Sequence, residues 1–399
     1  MTPTEVAELQ RPEIQAALLE LLDESPDAFA MRHGKRDDWP VRAMAEQIRA
    51  RRKARTKLAG WPIDDLILTT RGIEQCSSLA LARFKASLVS GPGLDLCCGL
   101  GIDALHCAAN GAVTACELDA GLVAILRHNA AVLGIDLTII NADGLDQLAS
   151  FAERSLNWIY ADPDRRDGQD RRQTLLGNCS PDLTNRVPEL ARVAGVLLVK
   201  LAPAIDRDLL REELPHLQRL LFVSHRGECK EALAWCDAAQ ERPHQIRAEA
   251  VIIDDQGSVT FTCQDDGEPL PSATTPQAMI LEPDPAILRA NAIGTLARQY
   301  TLHPLHPRVS YLTGDSLTAD APGRRLRVIE SGRYQPKGLR QRLKQLGITG
   351  CQIARRHFPH DPDTIAKQLR ITASGTLRLL CYRDPAEKLC WALGEVVTD

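Results

Sequence analysis

The chain lacks any apolar run that could cross a membrane: its longest apolar stretches, such as Val193–Val199, fall far short of the ~20 residues a membrane helix requires. It lacks a C-x-x-C pair. Its 12 cysteines are scattered and include the vicinal pair Cys97–Cys98, which excludes the paired-cysteine kind of structural zinc site. The opening segment, MTPTEVAELQRPE, has no basic region followed by an apolar one, so it is not expected to act as a signal peptide. The thiols therefore read as reduced, in a cytoplasmic protein with no membrane partner. The ten histidines show no metal-ligand spacing, and His303 and His306 flank Pro304 in an expected loop with no acidic residue nearby, so no metal is expected. Low-complexity tracts and 20–50-residue repeats are missing too. An excess of positive charge is also lacking: 48 Lys+Arg stand against 52 Asp+Glu, a net of −4, so the chain as a whole is not a basic nucleic-acid binder.

What remains is ordinary globular composition. The 399 residues are 44% hydrophobic and 25% charged, enough for two or three domains with a sizeable core. Residues 1–75 read as a helical segment, with apolar residues at helical spacing over Pro12–Leu22. Between Arg32 and Lys57 lie ten Lys/Arg and three Asp/Glu, a net of +7. That stretch is either the solvated face of a long helix or a surface for an anionic substrate.

From about Cys76 helix and strand patterns alternate. Strands are predicted at Gly93–Cys97, Ala112–Cys116, Leu137–Ile140, Leu156–Tyr160, Gly195–Lys200, Leu220–Ser224 and Ala248–Ile253. Helices are predicted at Ser77–Leu88, Ala120–Leu133, Leu183–Val193 and Asp206–Glu213, with a further one beginning at Asp103. Apolar strands alternating with amphipathic helices imply an α/β fold, a doubly wound Rossmann-like core whose parallel sheet is covered on both faces. The polar segment Asp265–Thr275 reads as a linker, giving a core over 76–275 and a small α/β domain over 276–399. In that last domain Ala286–Arg298 reads as one helix, and Leu326–Glu330, Leu339–Leu346, Cys351–Ala354, Thr364–Leu369 and Leu377–Tyr382 read as a β-α-β-α-β unit.

The strongest chemical signal is Asp95-Leu-Cys-Cys-Gly99-Leu-Gly101, at the end of the first strand and the start of a helix. Its glycines permit a sharp turn and close approach of a ligand, and the helix start offers free N–H groups. Residue 104 is Ala, so the three-glycine dinucleotide fingerprint is incomplete. An acid within the strand also suits a ligand bearing an ammonium group better than a pyrophosphate. Glu117, about 20 residues further on, ends the second strand, where a carboxylate accepts hydrogen bonds from both ribose hydroxyls. Asp143 follows the third strand, placed for an adenine amine, and Asp162-Pro163 follows the fourth. Each carboxylate alone is as well explained by a helix cap or a loop. Four at successive strand ends mark the ligand edge of an open α/β sheet.

This ordered set resembles the class I S-adenosylmethionine-dependent methyltransferases. The resemblance implies that Asp95, Cys97, Gly99 and Gly101 line the methionine and sulfonium part of S-adenosylmethionine, Glu117 its ribose and Asp143 its adenine, leaving S-adenosylhomocysteine as product. Asp162 then stands nearest the transfer site. Segments outside these motifs resemble the bacterial group of that superfamily with a THUMP-like C-terminal domain: Arg49–Trp61, Ile73–Leu88, Tyr160–Asp167, Lys200–Asp206, Glu228–Glu231, Leu281–Ala290 and Val328–Lys344. The resemblance implies a ferredoxin-like, THUMP-like last domain and, by analogy, RNA as the substrate.

The loop Asp162-Pro163-Asp164-Arg165-Arg166 lacks the second proline and the aromatic of base-amine methyltransferases. Arg165 and Arg166 suit a phosphate or a base edge, or else pair with Asp164 and Asp167. Lys200 ends the fifth strand and either orients substrate or merely extends to solvent. Cys179 is the cysteine placed for nucleophilic attack on a pyrimidine ring, if it is not simply a small buried residue. Cys97 and Cys98 flank the turn as packing residues.

From Pro322 to Arg383 stand 14 Lys/Arg and three Asp/Glu, a net of +11, which leaves −15 for the rest of the chain. Arg333, Lys337, Arg340, Lys344, Arg355 and Arg356 are the expected RNA contacts. Tyr334 and Phe358 are placed among them to stack a base. Competing readings are a methyltransferase acting on a small molecule or protein, a non-catalytic RNA-binding module of the same fold, and an NAD-dependent dehydrogenase, against which Asp95 and the missing glycine argue. The oligomeric state is not legible.

Overall fold

The computed structural model describes residues 1–165, 176–240 and 246–397. They divide into two compact units. The first comprises Met1–Leu220, Glu231–Ile246 and Ile253–Thr260; the second comprises Leu221–Lys230, Arg247–Ile252 and Phe261–Asp399. Among the described residues no helix is long and apolar enough to cross a membrane.

The first unit opens with helices α1 (Pro3–Leu9), α2 (Pro12–Leu21), α3 (Pro26–His33) and α4 (Val41–Lys57). Proline at the first turn starts each of the first three, where a missing N–H costs nothing. α4 buries Met44, Gln47, Ile48, Arg51 and Ala54 on one helical stripe. Most of its cations are tied to neighbouring groups, while Arg42 and Arg49 also line the cavity described below. Arg51 is fully buried and donates to the Leu66 carbonyl and to Gln15. Arg52 donates to the carbonyls of Leu22 and Glu24, and Lys57 to those of Ile73 and Glu74. Arg49 pairs with Asp27, Lys53 with Glu74 and Arg55 with Asp64. Lys35 and Arg42 carry no ion pair among the described residues. Arg42, Arg49, Arg52, Lys53 and Arg55 are exposed along α4, as the solvated face of a long helix requires, and most of them are also tied to carbonyls or carboxylates nearby.

Then follow α5 (Thr70–Gln75), α6 (Leu79–Ser87), β1 (Gly93–Asp95), α7 (Ile102–Cys107), β2 (Val113–Cys116), α8 (Ala120–Leu133), β3 (Thr138–Ile140), α9 (Gly144–Gln147) and β4 (Leu156–Ala161). A short ladder of β5 (Asp164–Arg165) and β6 (Cys179–Ser180) precedes α10 (Val187–Val193) and β7 (Ala194–Leu201). β1 lies between β2 and β4, β3 flanks β2, and β7 flanks β4, all parallel. Next along the chain come α11 (Arg207–Glu213) and then β8 (Leu217–His225), β9 (Glu228–Asp237), β10 (Arg247–Ile253) and β11 (Val259–Gln264), whose residues are divided between the two units. β9 runs antiparallel to β7, pairing Leu201 with Ala232 and Val196 with Asp237. The purely parallel sheet expected from sequence is thus a mixed one. A buried Glu231 interrupts the apolar pattern of β9 and hid it.

In the second unit the remaining elements are β12 (Met279–Pro283), α12 (Pro285–Ala290), α13 (Ile293–Gln299), β13 (His303–His306), β14 (Val309–Gly314), β15 (Gly323–Arg333), α14 (Pro336–Gln345), β16 (Gln352–Arg355), α15 (Pro362–Leu369), β17 (Leu377–Arg383) and β18 (Leu389–Val396). The strands form one sheet in the order β13-β14-β12-β15-β18-β17-β16. The single helix expected over 286–298 is two, broken at Asn291, whose φ of +61° ends α12. His303 and His306 lie on a strand rather than in a loop. His306 is buried and hydrogen-bonds Glu387 at 3.2 Å, an acidic partner remote in sequence. Segment 265–275 has no regular structure but is tied down: Arg298 pairs with Asp266 and donates to the Pro269 carbonyl at 2.7 Å.

Candidate functional site

The site grows from the turn after β1. The Leu96 amide bonds the Tyr160 carbonyl of β4 and the Cys98 amide bonds the Cys116 carbonyl of β2, so the turn is pinned on both sides. Gly99 and Gly101 have φ of +57° and +75°, the left-handed region that favours glycine. The two do different work. A Cβ at Gly101 would lie 2.3 Å from Leu126, so this glycine lets α7 approach α8. A Cβ at Gly99 would meet nothing within 4 Å, because that face opens into a cavity of about 1290 Å³.

That cavity gathers most of the residues singled out from sequence: Asp95, Cys97, Gly99, Glu117, Asp143, Asp162, Pro163 and Lys200 all line it, while Gly101 lies behind the turn. Asp95 is 2% exposed and accepts one hydrogen bond, from the Cys97 amide at 3.2 Å. Burial pushes its pKa well up, and the nearby charge of Asp103 adds to this. The Glu117 carboxylate is aligned by two amides, Gly99 and Asp119, each at 2.9 Å. Asp143 caps α9 through the Leu145 amide at 2.9 Å. Leu118, an apolar residue left 63% exposed, lines the same wall beside Glu117 and was not singled out from sequence.

At the other side of the cavity Lys200, leaving β7, places Nζ 2.5 Å from Oδ2 of Asp162, which follows β4. Burial alone would lower the Lys200 pKa, but the Asp162 charge raises it instead. Asp164 accepts from Arg71 and Gln75, each at 3.2 Å. Arg165 pairs with Cys179 in the β5–β6 ladder, while Arg166 lies outside the described residues. Ser180 and Pro181, rather than Cys179, reach the cavity wall. Cys97 and Cys98 have thiol pKa values pushed well up by burial and then by the Asp95 charge, which leaves neither poised as a nucleophile.

Below this wall lies a buried network that sequence reasoning missed. Lys85 of α6 is 1% exposed and donates to Asp103 (2.9 Å), Ser77 (2.5 Å), Tyr160 (3.3 Å) and Glu231 (3.4 Å). Ser77 and Tyr160 also donate to Oδ2 of Asp103, each at 2.9 Å. Burial disfavours the Lys85 charge, yet Asp103, Glu231 and Asp162 outweigh it and raise the pKa. Asp103 is held below the usual carboxylate range, because the Lys85 and Lys200 charges outweigh its burial. The network's members Lys85, Asp103, Tyr160 and Glu231 come from the four elements α6, α7, β4 and β9, and no spacing rule links them.

In the second unit most arginines of the basic stretch are paired: Arg324 and Arg378 with Glu282, Arg333 with Asp384, Arg342 with Glu330 and Arg327 with Glu395. Arg355 donates to the Phe358 carbonyl at 2.9 Å. Arg356 is exposed. Lys337, Arg340 and Lys344 of α14 are exposed and carry no ion pair among the described residues. Tyr334 and Phe358 are not base platforms. They are 8% and 4% exposed and meet edge to face, with ring centroids 4.9 Å apart, in the core between α14, α15 and the sheet. Their alternation with arginines places them inward, where burial outweighs any stacking role.

The residues present fit S-adenosylmethionine. The cavity exceeds the ~300–1,000 Å³ of a single small-ligand pocket, so it has room for a cofactor and part of a second molecule. Its wall offers a buried acid for an ammonium, an aligned carboxylate for a diol, and a glycine face open to close approach. Among the described residues no group of His, Cys, Asp and Glu is arranged to hold a metal ion.

Known proteins agree. Residues 323–394 match the family described as THUMP domain-like. Two Mycobacterium tuberculosis proteins, both named as uncharacterized S-adenosylmethionine-dependent methyltransferases, are 29% identical over 366 residues, covering 90% of this chain and 96% of theirs. A Porphyromonas gingivalis protein, whose crystal structure carries a provisional methyltransferase assignment, superposes with a TM-score of 0.83 at 25% identity. That match covers 97% of this chain and 98% of that one. Along most of its length the chain is similar to S-adenosylmethionine-dependent methyltransferases, and its residues 323–394 are similar to a THUMP-like domain.

Proposed function

We propose that this methyltransferase acts on a nucleotide in RNA, inside the cytoplasm. The observation that carries the substrate half is the row Lys337, Arg340 and Lys344. Spaced at i, i+3 and i+7, they share one face of α14, while Leu339 and Leu343 turn into the core. The fold leaves these three cations exposed within the THUMP-like region, although it pairs most of their neighbours. An exposed helical row of unpaired cations is what a phosphate backbone needs. A small-molecule enzyme has no evident use for it.

At the chemical site, Asp95, Gly99, Glu117 and Asp143 hold the cofactor, which supplies a methyl group on a sulfonium. Asp162 receives a hydrogen bond from the acceptor group and aligns it, and Lys200 fixes the carboxylate that does so. Pro163 stiffens the exit from β4, so the Asp162 backbone does not drift.

The test compares nucleosides, by mass spectrometry, from RNA of a strain lacking the gene and of its parent, together with transfer of labelled methyl by the purified protein. The expected result is one methylated nucleoside missing from the mutant strain and restored in its RNA by the protein. Label appearing only in protein or in small molecules overturns the RNA assignment.

A further inference from the structure

The buried network beneath the cavity holds one atom that the fold does not satisfy. Oδ2 of Asp103 takes three donors, from Ser77, Lys85 and Tyr160, whereas Oδ1 is buried without a hydrogen-bond partner. An ionised carboxylate oxygen with no donor is costly in a fold. Asp103 is 9% exposed and lines the cavity together with Asp95, which is 2% exposed and has one accepted hydrogen bond. Gly99, where an added Cβ would meet nothing, opens the same wall. Two buried acids with unused acceptor capacity thus line the same cavity; Lys85 bonds the other oxygen of Asp103 and is tied to four partners, and Lys200 is paired with Asp162.

We propose that Asp103 is a second carboxylate of the cofactor cradle, and that Asp103 and Asp95 together take the ammonium group of the cofactor's methionine part. The inference rests on the cofactor assignment made above. An ammonium has three N–H donors, and one carboxylate already bonded to the Cys97 amide satisfies them poorly; the unpartnered Oδ1 supplies what is missing. Lys85, Ser77 and Tyr160 are positioning residues: by occupying Oδ2 they aim the other oxygen.

The arrangement also moves a proton. The groups facing Asp95 are Asp103 on α7, Asp162 after β4, Lys85 on α6, the Tyr160 phenol of β4 and the thiols of Cys97, Cys98, Cys107 and Cys116. Burial and the neighbouring Asp103 charge disfavour ionisation of Asp95 while the cradle is empty. A seated ammonium favours the carboxylate, so binding shifts Asp95 towards its ionised form, with any proton it gives up going to solvent while the ammonium keeps all of its own.

Isothermal titration of the full chain with S-adenosylhomocysteine, at pH 7 in buffers of different ionisation enthalpy, tests this. Its deamino analogue, which keeps the carboxylate and lacks the amine, is the control. The wild-type protein is expected to release protons on binding S-adenosylhomocysteine and none on binding the analogue, which binds at least tenfold more weakly. Asp103→Asn is expected to weaken S-adenosylhomocysteine at least tenfold and leave the analogue unchanged. Equal affinity of the wild type for both ligands overturns the proposal without any variant, as does an equal effect of Asp103→Asn on both. Failure of the wild type to bind either ligand overturns the cofactor assignment itself.

Discussion

Lys200 and Asp162 meet where β7 and β4 leave the sheet side by side, with Nζ 2.5 Å from Oδ2 although 38 residues separate them in the chain. Parallel neighbours place their strand ends at one edge, so two residues just beyond the register pair Ala161–Val199 arrive together. With side chains 17% and 34% exposed, the pair sits half in the cavity and half in reach of solvent.

Asp162→Asn keeps the shape and removes the charge that Lys200 fixes. Methyl transfer to RNA from the deletion strain is expected to fall by roughly 10²–10⁴, the usual span for a positioned acid–base group. Binding of S-adenosylhomocysteine stays within about threefold. A parallel loss of cofactor affinity would instead put Asp162 in the cofactor cradle.

Lys85→Met leaves Asp103 and Glu231 buried without their cation. Breaking a buried pair in this way costs about 3–5 kcal/mol, a fall in Tm on the order of 10 °C at pH 7. The pH dependence has a definite sign. In the wild type Asp103 has a lowered pKa, so its contribution is present above the ordinary carboxylate range and is lost as pH falls through the lowered value. In the variant Asp103 sits in the same burial without Lys85, and its pKa is raised. Folding then takes up a proton, and the variant gains stability as pH falls from 7 towards 5. Thermal melts across that range should show the gap between the two proteins closing. A gap that stays constant would mean Lys85 contributes packing alone.

What could be read in the chain was whatever is local. Asp95, Gly99 and Gly101 lie within seven residues, and Glu117, Asp143 and Asp162 each end a strand of recognisable apolar pattern, so their convergence on one sheet edge followed from alternation alone. What escaped is non-local. Lys85 looks like one more helix lysine until α7, β4 and β9 close around it. β9 itself was hidden by the glutamate it contributes. Tyr334 and Phe358 failed for another reason: neighbours in sequence say which residues are basic, but the pleat and the helix period decide which side chains turn inward. The same limit applied to Arg51 of α4, which the basic run does not single out and which the helix period turns fully inward.

The two glycines of the turn should respond differently to alanine. At Gly101 the left-handed φ costs about 1–2 kcal/mol and the overlap with Leu126 about 1–3 more, so Gly101→Ala loses roughly 2–5 kcal/mol of stability. At Gly99 only the φ term applies, and the new methyl projects into the cavity. Gly99→Ala should therefore lose only that ~1–2 kcal/mol, melt above Gly101→Ala and bind S-adenosylhomocysteine at least tenfold more weakly. Melting curves with and without that ligand separate the two. A Gly99→Ala protein with unchanged affinity would place the cofactor away from the turn.

The α14 row gives the most direct check on the substrate class. Lys337, Arg340 and Lys344 are exposed, outside the core and without ion pairs among the described residues, so replacing all three with glutamine should change Tm by little. Each cation that neutralises a phosphate adds about 0.7–0.9 to the steepness of log affinity against log salt. Measured by filter binding to RNA from the deletion strain between 50 and 200 mM salt, the triple variant's slope should be shallower by about 2–3. Cofactor affinity should be untouched, because these side chains belong to the second unit and the cavity to the first. An unchanged slope would remove α14 as the phosphate-binding face, and with it the observation on which the RNA assignment stands.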